Sequence, residues 1–179
     1  RHASYQLRDQ RVTGFNSMFA TSSIKAARAY YLEFQRQQAD LPPARRRSVG
    51  IIYSYAPNAD APGTGLLAEE SMDPSALSQD DRAFLDDAIA DYNQQFGTNF
   101  GTDASGFEHY YEHLSRALTE KRIDLVIVVD MFLTGFDSKS LNTLWVDKNL
   151  RAHGLIQAFS RTNRILNSVK TYGNIVCFR

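Results

Sequence analysis

The chain has 179 residues and a mass of 20.2 kDa, 43% of the residues hydrophobic and 22% charged, a size at which one globular domain with a real core is expected. Twenty basic and twenty acidic residues cancel to a formal charge of zero, which excludes a globally basic nucleic-acid coat and an acidic solvating tail. One cysteine excludes a disulfide framework and a multi-cysteine zinc site, and the most apolar run, Leu125 to Val129, is far shorter than the roughly 20 residues of a membrane span. A start at Arg1 without a methionine or a basic-then-apolar leader, and an end on a strand-like run, are expected of a piece of a longer cytoplasmic chain.

Residues 1–14 read as a connecting segment and 15–179 as the domain proper. Phe15 to Thr21 predicts a strand, and Ser22-Ser23 offers an N-cap for a helix whose Ile24, Ala27, Tyr31 and Phe34 recur at spacings of three and four. After Pro42-Pro43, residues 48–55 predict a second strand. From residue 56 to about 79 the chain is rich in Pro, Gly, Ser, Ala and acidic residues, as an exposed loop is.

Two helices are expected next, near 80–95 and 105–121, the second presenting Phe107, Tyr111, Leu114 and Leu118 on one face, with a glycine-rich turn between them. The acidic loop and the first of these helices, within 57–108, read as an insertion. Ile123 to Val129 is β-branched and apolar on both faces, as a central parallel strand is. A shorter strand at 144–146, a helix from about 153 to 166 and a last strand at 173–178 complete the reading. Cys177, within that last strand, reads as a small buried hydrophobe rather than a nucleophile. Strands alternating with helices imply an α/β fold with a mostly parallel sheet flanked by helices.

Charge is segregated along this order. Between Asn58 and Tyr92, nine acidic residues face Arg82 alone, whereas from Lys139 to Arg179 seven basic residues face Asp147 alone. An anion is therefore expected to bind the C-terminal quarter.

Three constellations can carry chemistry. On a helix near residue 160, at about 100° per residue, Leu155, Ala158, Phe159, Thr162 and Leu166 form a core stripe, while Gln157, Arg161 and Arg164 share the far face. Two readings fit: guanidinium forks converging with an amide suit a polyphosphate, and arginines also stud ordinary solvated faces. A buried strand running into Asp130-Met131-Phe132-Leu133-Thr134-Gly135-Phe136-Asp137 places polar groups at the carboxyl edge of the sheet. A carboxylate there can accept from a ribose hydroxyl or hold an arginine, and a plain turn accounts for the same residues. Thr21-Ser22-Ser23 at a helix N-terminus suits a phosphate, or a simple cap. His109 and His113 lack a third metal ligand, Arg45-Arg46-Arg47 reads as a solvated run, and no G-x-x-x-x-G-K-[ST] loop occurs.

Taken in order, Ala20-Thr21-Ser22-Ser23-Ile24, Val128-Val129-Asp130-Met131-Phe132-Leu133-Thr134-Gly135-Phe136-Asp137, Val146-Asp147-Lys148-Asn149-Leu150 and Gln157-Ala158-Phe159-Ser160-Arg161-Thr162-Asn163-Arg164 resemble the second RecA-like motor domain of superfamily 2 helicases. More narrowly, they resemble the restriction subunit of Type I restriction-modification enzymes, with residues 130–164 the most specific part. The resemblance implies that Thr21, Ser22 and Ser23 correspond to motif IV, near the DNA strand or the domain core. Thr134, Gly135 and Asp137 correspond to motif V, with Thr134 near DNA, Gly135 close to a γ-phosphate and Asp137 near the ribose or the arginines. Gln157, Arg161 and Arg164 fill motif VI, the arginines acting as fingers. Relatives often carry glycines where Ser160 and Asn163 stand here, and a threonine where Val129 stands.

The function so implied is the C-terminal motor of an ATP-dependent double-stranded DNA translocase, part of a Type I site-specific deoxyribonuclease. ATP and Mg²⁺ would be bound mainly by a preceding Walker-A domain, no cofactor is expected on the isolated piece, and that piece alone is expected to be inactive. Implied partners are double-stranded DNA, the first RecA-like and nuclease domains of the parent chain, and methylation and specificity subunits, with no membrane. The alternatives are the same motor domain from another superfamily 2 repair or remodelling helicase, and a non-catalytic docking domain of the same fold.

Overall fold

A computed structural model of the chain describes residues 6–8, 11–54, 74, 77–129, 131–132, 136–148, 156, 159–164 and 170–178, the backbone alone for 6–8 and 11–13. Two short strands, β1 (Gln6–Arg8) and β2 (Arg11–Thr13), pair antiparallel as a separate ribbon within the segment expected to be a connector. The domain begins with β3 (Asn16–Thr21), buried at five of its six positions, and Ser23 then caps α1 (Ile24–Gln38), its hydroxyl accepting from the Ala26 amide at 3.2 Å. Ala27 and Tyr31 lie buried on the face expected from their spacing. A 3₁₀ turn at Pro43–Arg45 follows, where proline's fixed φ suits the first helical position, and the chain enters β4 (Val49–Tyr53).

Ser78 caps α2 (Gln79–Phe96), with Asp80 and Asp81 in the first turn where the helix dipole favours carboxylates. Gly97, at φ +67°, ends the helix in the left-handed conformation that glycine adopts without a Cβ penalty. Asp103 caps α3 (Ala104–Thr119) by accepting from the Gly106 amide at 3.0 Å. Next come β5 (Leu125–Val129), buried at every position, then β6 (Leu141–Asp147) and β7 (Asn174–Cys177).

These last five strands form one sheet in the order β4-β5-β3-β6-β7, parallel at every pairing and flanked by helices. The α/β parallel architecture expected from the alternation is therefore present. The strand apolar on both faces, β5, lies one place from the centre, and β3 occupies the middle. In-register rows such as Ile51, Ile127, Phe19, Trp145 and Val176 run straight across it.

Within 57–108, α2 is integral to the packing: Leu85, Ala88, Ile89 and Tyr92 are buried in the one core. It joins α1 through the Arg28–Asp81 pair at 2.7 Å and α3 through Tyr92 edge-on to Tyr110, with ring centres 5.1 Å apart. The acidic loop itself falls outside the described residues. Gly50 allows α3 close to β4, since a Cβ there would come within 2.9 Å of Leu114 and Ile123 side-chain carbons.

Three sequence expectations are corrected. β6 is seven residues long, because its ladder with β3 already begins at Leu141, opposite Asn16, and resumes after a bulge at Asn142 with Thr143, ahead of the apolar Leu144–Val146. Helical backbone stops at Ser160, and Arg161–Thr162 form a turn, so the helix does not run on to residue 166. Thr162 and Asn163 are poor helix continuers whose side chains compete for backbone groups. Cys177 is exposed, because β7 is an edge strand.

His113 accepts or donates at 2.8 Å with the Tyr92 hydroxyl, and burial, together with Arg122 and Arg116, lowers its pKa below the ordinary 6.5. A lowered histidine pKa means the unfolded chain binds the proton more readily. Stability is thus fully present above about pH 6.5 and lost as pH falls through the lowered folded value. The thermal midpoint is expected to drop between pH 7.5 and 5, and His113→Gln to drop less over that range. An equal pH response in both would assign the loss elsewhere.

Candidate functional site

The all-buried strand β5 delivers Met131 and Phe132 into a tight turn, with the Met131 amide on the Val129 carbonyl at 2.8 Å. Phe132 adopts φ +60°, a left-handed conformation that costs a bulky residue about 1–2 kcal/mol. Packing holds it there: its fully buried ring stacks on Tyr111 of α3 at 4.7 Å between centres and meets Phe136 edge-on at 5.1 Å. Beyond Asp137, the buried Ser138 and Ser140 hydroxyls lie 2.8 Å apart, and Ser140 donates to the Leu118 carbonyl at the end of α3 at 3.0 Å. Residues 136–137 are thus held between two anchors.

Onto this short segment the turn at 161–164 folds. Arg161 Nη1 donates to the Phe136 carbonyl at 2.8 Å, and Arg164 Nη2 meets Asp137 Oδ2 at 2.9 Å. The ion pair is open to solvent, with side chains 59% and 51% exposed. The two guanidiniums are therefore gathered by Phe136 and Asp137, and not by a shared helix face. Asp137, expected to accept from a ribose hydroxyl or to hold an arginine, is paired with Arg164.

The rear of the turn is packed. Thr162 is buried, and its carbonyl presses on the chain just before β7, where a Cβ on Gly173 would come within 2.2 Å of that oxygen. Lys170, only 2% exposed, donates from Nζ to the Arg164 carbonyl at 2.7 Å. Burial lowers its pKa from the ordinary lysine value, and the nearby Asp137 carboxylate acts against that shift.

Asp137 does not lie at the carboxyl edge of the sheet. It stands four residues before Leu141, a reach of at most about 14 Å, whereas β6 runs about 20 Å from Leu141 to its carboxyl end. The chain has by then turned back along the sheet. Asp130, Thr134, Gly135 and Gln157 lie outside the described residues.

Thr21, Ser22 and Ser23 close the carboxyl end of β3. The Thr21 hydroxyl is fully buried and donates to the Val128 carbonyl at 3.2 Å, joining the ends of β3 and β5. Ser22 and Ser23 are exposed. Phe136, Lys170 and Gly173 escaped the sequence reading. The excess of basic residues after Lys139 was the one signal that included Lys170, and nothing local separated it from solvated lysines. Among the described residues no group of His, Cys, Asp and Glu side chains can hold a metal ion, and no helix is long and apolar enough to cross a membrane.

Comparison with known proteins identifies the context. Residues 13–179 match the family described as Type I restriction enzyme subunit R domain 3. The chain is 41% identical over 167 residues to the Type I restriction enzyme SauMRSORF196P endonuclease subunit of Staphylococcus aureus, covering 92% of this chain and 17% of that one. A counterpart in Staphylococcus saprophyticus has the same identity and coverage. A putative MpnIIP subunit N-terminal part from Mycoplasma pneumoniae is 69% identical over 49 residues, 27% of this chain and 13% of that one. The chain thus spans about a sixth of the length of these two staphylococcal relatives. Among solved structures, the E. coli DEAD-box protein SrmB, bound to RraA, aligns with a TM-score of 0.33 at 12% identity, over 91% of this chain and 76% of that one, a likeness too low for a shared fold to be argued from it. With a parallel α/β sheet in place and a family match over nearly its whole length, the chain belongs to the Type I restriction enzyme subunit R domain 3 family.

Proposed function

We propose that this domain is the second motor domain of a cytoplasmic Type I restriction subunit. In this reading it supplies Arg161 and Arg164 to ATP held with Mg²⁺ by a preceding Walker-A domain of the same parent chain. The single observation that carries the reading is the gathering of both guanidiniums on Phe136 and Asp137, with the Arg164–Asp137 pair half open to solvent. A guanidinium whose carboxylate partner is equally exposed can exchange that partner for a phosphate oxygen at little cost, so the donor set fits the terminal phosphates of a nucleotide.

When bound, the nucleotide supplies the transferable phosphoryl group and the metal its counter-charge. The residues of this chain contribute positioning and charge. Arg161 is oriented by the Phe136 carbonyl, and Arg164 by Asp137 until the two motor domains close. Gly135 and Gln157 stand in the adjoining segments and complete the proposed nucleotide contacts. DNA contacts fall to Ser22, Ser23 and Thr134, with Thr21 holding the strand end that precedes Ser22 and Ser23. Closure and opening would move double-stranded DNA across the domains, while the nuclease domain of the parent chain and the methylation and specificity subunits supply cleavage and site choice. The piece alone, lacking a phosphate-binding loop, is inactive in this reading.

The reading is tested by Arg161→Ala in the full-length subunit. DNA-stimulated ATP turnover is expected to fall at least about a hundredfold while ATP and DNA still bind, because a finger acts on charge that develops in the transition state. Unchanged turnover would favour a docking role for the domain.

A further inference from the structure

We propose that Lys170 is a positioning residue for Arg164: its buried ammonium, clamped on the Arg164 carbonyl, sets the direction in which that guanidinium leaves the backbone. The inference rests on the finger reading of Arg164 and adds to it a residue outside motifs IV to VI.

Arg164 lies beyond the helix, where no repeating backbone ladder fixes its peptide plane. Its carbonyl is fixed instead by Lys170 Nζ at 2.7 Å, reaching back six residues from the approach to β7. A lysine that is 2% exposed is uncommon, since burying an ammonium is costly unless partners compensate. Here the partners are the Arg164 carbonyl and the field of Asp137, the same carboxylate that holds the Arg164 side chain. One arginine is thus gripped twice, at its main chain by Lys170 and at its tip by Asp137. Gly173 completes the mould. Because it lacks a Cβ, the Thr162 carbonyl can sit against the chain, and the turn cannot slide toward β7.

The test uses Lys170→Met, close in volume and suited to an apolar site, in the full-length subunit within the assembled restriction complex, alone and combined with Arg164→Ala. DNA-stimulated kcat for ATP is expected to fall about tenfold with KM within about twofold, as for an interaction misaligned only where the transition state needs it. On the Arg164→Ala background the same change is expected to cost nothing further, since the clamp acts through the side chain already removed. Wild-type kcat in Lys170→Met while Arg164→Ala falls, or a loss that multiplies in the double variant, overturns the proposal and leaves the finger reading standing. Unchanged turnover in Arg164→Ala itself overturns the finger reading instead. If Lys170→Met shows no cooperative unfolding transition, Lys170→Arg carries the same cycle, with non-additivity expected and additivity decisive against.

Discussion

Arg164→Ala in the full-length subunit is expected to lower DNA-stimulated ATP turnover about a thousandfold, the lower end of what an arginine acting on a transferring phosphoryl group contributes. That is about 4 kcal/mol of activation free energy. The loss should appear in kcat, with KM for ATP within about twofold, because the proposed contact would be made where charge develops. Asp137→Asn provides the comparison. The Arg164–Asp137 pair is 59% and 51% exposed, and pairs so open to water are worth roughly 0–1 kcal/mol, so its loss should cost no more than about fivefold. Steady-state ATPase assays on the two variants separate the roles. A large effect in both would make Asp137 more than a holder, and no effect in Arg164→Ala would remove this arginine from the reaction.

Phe132→Ala is expected to be the most damaging single change to the fold near the site, at about 3–5 kcal/mol. The ring is fully buried between Tyr111 and Phe136, and truncation leaves a cavity that the sheet cannot collapse to fill. No strain is recovered in exchange, since alanine at φ +60° is as disfavoured as the phenylalanine it replaces. At about 2–4 °C per kcal/mol for a chain of this size, the thermal midpoint should fall by roughly 10 °C. Leu32→Ala, at a side chain 52% exposed, should shift it by about 1–2 °C at most. Calorimetry of the 179-residue chain checks both. A Phe132 variant as stable as the wild type would mean that the turn after β5 is held by something other than this ring.

Local chemistry explains which features were legible. Ser23 as a cap and Ala27 and Tyr31 as an inner face follow from groups within one helical turn of each other, and the two-faced apolarity of β5 is written in five consecutive residues. The arrangement around the arginines is of another kind. Arg161 meets a carbonyl 25 positions earlier, and the partner is a backbone oxygen, which any residue type would supply. Helical periodicity extended through residue 164 mistook the means by which the arginines converge, although the two it grouped do meet neighbouring residues, Phe136 and Asp137. Tyr110, on the neighbouring row to Tyr111, is the wholly buried one, because its hydroxyl reaches the Ile51 carbonyl at 2.8 Å. The burial of Lys170 depends on a chain reversal that no short pattern encodes.

The position of β7 has a bearing on how such a site can fail. It is the last strand of the sheet, hydrogen-bonded to β6 on one side, with Asn174, Ile175 and Val176 only half-buried. The residues that mould the arginine turn, Lys170 and Gly173, sit immediately ahead of it. Margins of a protein open at far lower free energy than its centre, and fraying here would unseat both guanidiniums while β3, β4 and β5 stayed intact. The placement of both arginines thus depends on one edge of the sheet, and a variant can pass a test of global folding while its arginine turn is displaced.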